Sequence, residues 1–217
     1  MLICTAVFCL QFFLPLDGYF ALWALGSGRF WPWQVFTYAF LHGSLLHLFF
    51  NMLGLWMFGA DLERVWGPRR FGQLLAASVI TAALAQLAFT QLVGVHSRTV
   101  GASGGLYGLL LAYALEFRHR RYDLVGMLPM LLMMLPIPGA DTLGMVLFVV
   151  LLTNRALVPI RPIYVSSLVI VAVFGGLELL SGLFYQGGSG IAHFAHLGGM
   201  LGAWLTMRWW RGQRRRR

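Results

Sequence analysis

The sequence predicts an all-α fold, a polytopic transmembrane helical bundle forming one domain over residues 1–217, and three observations carry that prediction. Of the 217 residues, 59% are hydrophobic and only 11% charged, where a soluble domain carries about one quarter charged residues. The mean hydropathy is +0.75. Near-continuous apolar runs recur along the chain, each roughly the 20 residues a helix needs to cross about 30 Å of hydrocarbon. Period-2 alternation is absent, so the spanning form is the helix, which closes its backbone hydrogen bonds within one segment, and not a barrel.

Taken in order, the runs place helices over Leu2–Leu14, Leu45–Phe58, Phe71–Val93, Ser103–Phe117, Ile163–Tyr185 and Ile191–Trp210, six in all. The first is short for a span. Cys4 and Cys9 both lie in it and read as small hydrophobes, not as a disulfide framework. Nothing before Arg29 is basic, so a cleaved signal peptide is not expected. The long connection Pro15–Leu41 is rich in tryptophan and phenylalanine, residues that favour the membrane interface.

The net charge of +9 does not point to nucleic acid, because the arginines fall between apolar runs and in the tail Arg214–Arg217. They serve as topology signals. With the first helix running outward, Arg64, Arg69 and Arg70, then Arg118, Arg120 and Arg121, then Arg208, Arg211 and the tail are cytoplasmic, and Arg29 and Arg98 are outside. The starts of the fourth and sixth helices then share the outer side. Residues 124–153 are apolar enough to span, yet one extra crossing would move His196 to the face opposite Ser103. Pro136, Pro138 and Gly139 divide that stretch into halves of about a dozen residues, a length that favours a re-entrant or interfacial hairpin.

Val-Gly-Ala-Ser-Gly-Gly at 100–105 opens the fourth helix. Free amides and the positive end of a helix dipole surround Ser103 there, the surroundings of a nucleophile beside an oxyanion site. Read structurally, Ser103 is an N-cap while Gly101, Gly104 and Gly108 serve helix packing. Ala-His-Leu-Gly-Gly at 195–199 sets His196 early in the last helix, with Gly198, Gly199 and Gly202 forming a small-residue face that allows close approach to the fourth helix. His47 and Asn51 are spaced i and i+4 on one face of the second helix, as oxyanion donors or as interhelical glue. Tyr107 lies one turn below Ser103. His193 and His196, i and i+3, open the further reading of a metal site or transporter together with His47, against which stand the missing carboxylate and the absent His-Glu-x-x-His string. Glu178 is the one clear acid inside a helix and has no catalytic task in this scheme; Gly175-Gly176 beside it marks a close helix contact. His42, His96 and His119 lie near helix ends or connections.

Together, His47 with Asn51, Gly101-Ala102-Ser103-Gly104, Tyr107, and His196 followed by glycines resemble the rhomboid family of intramembrane serine proteases. The resemblance implies a six-helix rhomboid-like core. It makes Ser103 the nucleophile, His196 its general base without an acidic third member, and Tyr107 the residue packed on that histidine. His47, Asn51 and the Ser103 backbone amide become the oxyanion pocket, supported by Gly101 and Gly104. It also implies transmembrane protein substrates, a lipid bilayer as surroundings, no cofactor and no metal. Substrate would enter beside the fifth helix under a cap formed by residues 186–190, with cleavage near the outer side of the bilayer; small size and the absence of targeting extensions lead to the expectation of a bacterial inner membrane. The alternative within the same family is a noncatalytic protein that binds or escorts client helices. The Pro15–Leu41 connection resembles the family's first loop, with Trp33-Gln34 where the family often has tryptophan-arginine, and the apolar insertion before Ile163 exceeds a minimal six-helix member.

Overall fold

The computed structural model describes residues 1–134, 139–184 and 192–214 and is mostly helical. The chain divides into two compact units, Met1–Tyr113 with Phe194–Arg217, and Ala114–His193.

The first unit contains α1 (Leu2–Gln11), α2 (Leu16–Phe20), β1 (Leu22–Trp23), α3 (Gln34–Thr37), α4 (Leu45–Val93), β2 (Arg98–Thr99), most of α5 (Ser103–Glu116) and nearly all of α9 (His193–Arg214). In α4, Ser44 caps the start by accepting the His47 amide, and Gly94 ends the helix in the left-handed region at φ 72°. The second and third predicted helices are thus one nearly continuous element. What separates them is Gly67, at φ 78° and ψ 162°, followed by Pro68. Glycine tolerates the positive φ, and proline suits the first turn of the helix that restarts, where no amide partner is missing. Charged residues 61–70, which end the apolar run in the sequence, are therefore helical on both sides of a single break.

Among the described residues, Leu45–Val93 is the one helix long and apolar enough to cross a membrane; Leu2–Gln11 and the segment 167–183 are shorter apolar helices. The six predicted segments correspond to α1, the two parts of α4, α5, α8 (Ser167–Phe184) and α9. α1 ends at Gln11, three residues before the predicted Leu14. The Gln11 Nε2 donates to the His42 carbonyl at 3.2 Å and to Asp17 Oδ1 at 2.8 Å, while its Oε1 accepts the His42 amide at 3.0 Å. A single side-chain amide thereby binds the end of α1 to the entry of α4. Cys4 and Phe8 of α1 pack with Leu48, Met52 and Ala102.

The 15–41 connection is organised by polar groups in its interior. Gln34 is fully buried: its Oε1 accepts from the Trp23 amide, and its Nε2 donates to the carbonyls of Tyr19 and Arg29 at 3.2 and 3.0 Å. A neutral amide at this position meets three backbone groups without burying a charge. Strands β1 and β2 pair antiparallel, Leu22 with Thr99 and Trp23 with Arg98, and Arg98 forms an ion pair with Asp17. The connection is thus fastened to the segment that leads into α5.

The second unit contains β3 (Arg121–Asp123), α6 (Leu124–Met134), α7 (Ala140–Thr153), β4 (Tyr164–Ser166) and α8. β3 and β4 pair antiparallel, with Asp123 opposite Tyr164. Asp123 Oδ1 accepts from the amides of Val125 and Ile163, which closes the neck. The segment between the two strands therefore leaves and re-enters at one point and carries two helices, α6 and α7. Pro136 and Pro138 fall within 135–138, outside the described residues. α8 begins at Ser167, not Ile163, because Tyr164–Ser166 are taken by the strand; the Ser167 hydroxyl donates to the Phe117 carbonyl at 3.1 Å. Of the Gly175-Gly176 pair expected to mark a close helix contact, a methyl group added at Gly176 would meet no atom within 4 Å among the described residues.

Candidate active site

Three elements of the first unit converge on Ser103. The approach segment is held by β2 and by the Gly101 amide, which donates to the Tyr38 carbonyl at 3.0 Å. Gly101 has φ 121°, and a Cβ there would lie 2.6 Å from the His47 ring. Only glycine allows both the backbone turn and the approach of that imidazole. Ser103 is the first residue of α5, where backbone amides have no partner within the helix.

From α9, His196 brings Nε2 to 2.7 Å from the Ser103 hydroxyl oxygen. The ring of Tyr107, one turn along α5 from Ser103, stacks on His196 with centroids 4.2 Å apart and planes 5° from parallel. His196 and Tyr107 are buried, and Ser103 is half-buried. The serine hydroxyl faces an imidazole that stacks on an aromatic ring.

Glycines make this approach physically available. A Cβ on Gly199 would collide with the Gly104 carbonyl, one on Gly104 with Ala82, and one on Gly198 with Ala85 and the Thr81 carbonyl. α5 and α9 thus touch backbone to backbone, and both lie against the Ala77–Ala85 face of α4. With no side chain between them, a serine and a histidine of ordinary reach span the remaining gap.

His47 and Asn51 lie on one face of α4 as predicted. Asn51 is 4% exposed, and its Nδ2 donates to the His47 carbonyl at 2.9 Å. One amide hydrogen is so engaged with its own helix, and the second is the one left for a ligand. Sequence reasoning misses His42, whose ring stands 5.2 Å from that of His47 and which is 1% exposed. Burial, and next the neighbouring His47, lower its pKa to about 4. A signal for it exists in the polar stripe His42, His47, Asn51 entering α4.

His193 and His196 do not share a ligand. His193 Nδ1 lies 2.7 Å from Glu178 Oε2, whereas His196 faces Ser103. Among the described residues no group of three or more histidine, cysteine, aspartate or glutamate side chains is placed to hold a metal ion. The reading that no carboxylate joins these histidines is corrected by Glu178: an acid in one apolar helix and an imidazole at the start of the next satisfy each other. The segment 186–190, expected as a cap, lies outside the described residues.

A family model described as Rhomboid domain matches residues 29–147. The chain is similar to Rhomboid protein 1, mitochondrial, of Saccharomyces cerevisiae, 34% identical over 103 residues, which is 46% of this chain and 28% of that protein. It is also similar to Rhomboid protease GlpG of Klebsiella pneumoniae, 36% identical over 114 residues, covering 51% of this chain and 39% of that one. Rhomboid protease GluP of Bacillus subtilis is 36% identical over 78 residues, 36% of this chain and 14% of that protein. The chain spans less than half the length of each of these relatives.

Proposed function

Because this chain belongs to the rhomboid family, a family of integral membrane proteins, we propose that it is a serine endopeptidase that cleaves transmembrane segments of other membrane proteins within the bilayer. The observation that carries this reading is the 2.7 Å approach of His196 Nε2 to the Ser103 hydroxyl under a stacked Tyr107.

Neutral His196 takes the Ser103 proton as the hydroxyl oxygen attacks the scissile carbonyl. The resulting oxyanion accepts hydrogen bonds from the Ser103 amide, the free Nδ2 hydrogen of Asn51 and the His47 ring. The imidazolium then returns its proton to the leaving amine, which departs and leaves an acyl-enzyme. Water, deprotonated by the same imidazole, attacks the ester carbonyl, and as the adduct collapses to the acid product the imidazolium returns that proton to the departing Ser103 oxygen. General-base assistance is worth about 10² to 10⁴ in rate and one oxyanion donor about 10² to 10³. Tyr107 holds the imidazole plane, and Gly101 and Gly104 keep the approach open. The substrate is a transmembrane protein helix, the site opens toward the outer side, as the arginine distribution favours, and the bilayer of this reading is a bacterial inner membrane.

Labelling of purified protein in detergent with a fluorophosphonate or isocoumarin probe tests the reading. We expect covalent labelling of wild type, and its loss, with cleavage of a transmembrane substrate reduced by at least about 10³, in Ser103→Ala and His196→Ala. Labelling that persists in Ser103→Ala removes this serine from the mechanism. A wild-type protein that takes up no probe but still binds client helices is the noncatalytic family member instead.

A further inference from the structure

Glu178 and His193 form a pair that the proteolytic chemistry leaves unused. Glu178, inside α8, is 3% exposed and His193, the first residue of α9, is 5% exposed, with 2.7 Å between Oε2 and Nδ1. Ionisable groups in apolar helices are costly, and apolar residues of similar volume would join two helices at less expense of desolvation. What the polar pair adds is direction, since an imidazole N–H donating to a carboxylate fixes both the rotation and the height of the residue that bears it.

That residue lies three positions before His196, one turn away on the same helix. The backbone contacts at Gly198, Gly199 and Gly202 hold α9 on the far side of His196. Toward the start of the same helix, His193 is hydrogen-bonded to Glu178. We propose that Glu178 and His193 are positioning residues for His196: their hydrogen bond sets the rotation and depth of the first turn of α9, and through it the approach of Nε2 to the Ser103 hydroxyl. The proposal rests on the reading of His196 as general base.

The test uses the full chain in detergent, with three readouts: fluorophosphonate labelling rate, kcat and KM on a transmembrane substrate, and hydrogen exchange of the amides of residues 193–199. Glu178→Ala and His193→Ala are expected to slow labelling and kcat by about tenfold to a hundredfold, the range for small misplacements of a reacting group, with KM little changed. Exchange at the start of α9 should quicken in both, and the double variant should be no slower than either single, because both remove the same contact. Glu178→Gln, whose amide oxygen accepts the same bond, should keep most of the wild-type rate, and so should His193→Asn, whose Nδ2 stands near the position of Nδ1. Folded Glu178→Ala that labels at the wild-type rate, or that loses activity through KM alone, overturns the proposal. If Glu178→Ala does not fold, His193→Gln, which moves the donor outward along the side chain, replaces it, and an unchanged labelling rate there overturns the proposal equally. Absence of Ser103 labelling in wild type overturns the protease reading, and the positioning role with it, and is distinguished from failure of positioning alone because in the latter case wild type labels normally.

Discussion

The α5–α9 contact and the α6–α7 pair each bring two helices together, yet they are built on opposite principles. α5 and α9 meet at glycines, backbone against backbone, with Gly199 on the Gly104 carbonyl. Among the described glycines of α6 and α7 only Gly144 makes such an approach, against Met133 and the Pro129 carbonyl, and the two helices are otherwise built from bulky apolar residues. Backbone atoms have no rotamers, so the first contact defines depth to a fraction of an ångström, as a serine and a histidine at 2.7 Å demand. Flexible side chains define position loosely and tolerate substitution. Rigidity is thus placed at the Ser103–His196 contact, and the insertion returns to its own starting point at the β3–β4 neck.

The sharpest way to break this contrast is Gly199→Leu. The new side chain meets the Gly104 carbonyl, so we expect complete loss of Ser103 labelling and destabilisation of about 3 kcal/mol or more, read from thermal unfolding in detergent. Leucine at Gly144 is expected to leave labelling unchanged, and equal damage at the two sites would dissolve the distinction.

Acid sensitivity belongs to the first unit as well. His42 has its pKa lowered to about 4, first by burial and then by His47, whereas the unfolded chain takes up that proton near 6.5. The unfolded state therefore binds the proton first as pH falls. The stability concerned is fully present above about pH 6.5 and is lost as pH falls toward 4, by about 1 to 3 kcal/mol. Unfolding midpoints of wild type and His42→Asn between pH 7 and pH 4 should converge at low pH; an identical acid slope in both excludes His42 as the source.

A smaller effect is expected at Tyr107. Loss of its stack on His196 in Tyr107→Ala removes about 0.5 to 1.5 kcal/mol of ring contact, so labelling should slow by about threefold to tenfold, while Tyr107→Phe should stay near wild type. A hydroxyl requirement, seen as a slow Phe variant, would assign the tyrosine a role other than holding the ring. The smallest effect is expected from replacing 124–163 by a short turn joining Asp123 to Tyr164, whose backbones are already paired. Ser103 labelling should survive this excision, and its loss would show that the insertion supports the site.

Much of the site was legible because its signals are local. His47 and Asn51 share a helix face through their spacing, Ser103 stands in a glycine-flanked helix start, and His196 precedes its own packing glycines. The Glu178–His193 pair was not legible: the sequence marks Glu178 as an acid inside a helix and His193 as a histidine one turn from His196, but nothing local says that the two will meet across the connection. At Gly176 the local signal is ambiguous: small residues permit a close contact but do not require one, and among the described residues none is made there. Gln34 in place of arginine was visible as a departure, but only the backbone groups gathered around it show that an amide satisfies them.

Composition and periodicity alone determined that this chain is helical and apolar and which residues carry polar chemistry, because hydropathy and helical spacing are properties of neighbours along the chain. The tertiary structure decided that α4 breaks at Gly67 and not across a twelve-residue gap, that the insertion closes on itself, and that Ser103, Tyr107 and His196 come to share one point. Those outcomes depend on which backbones approach without a Cβ between them and on which buried polar groups find partners. Both are set by residues distant in the sequence.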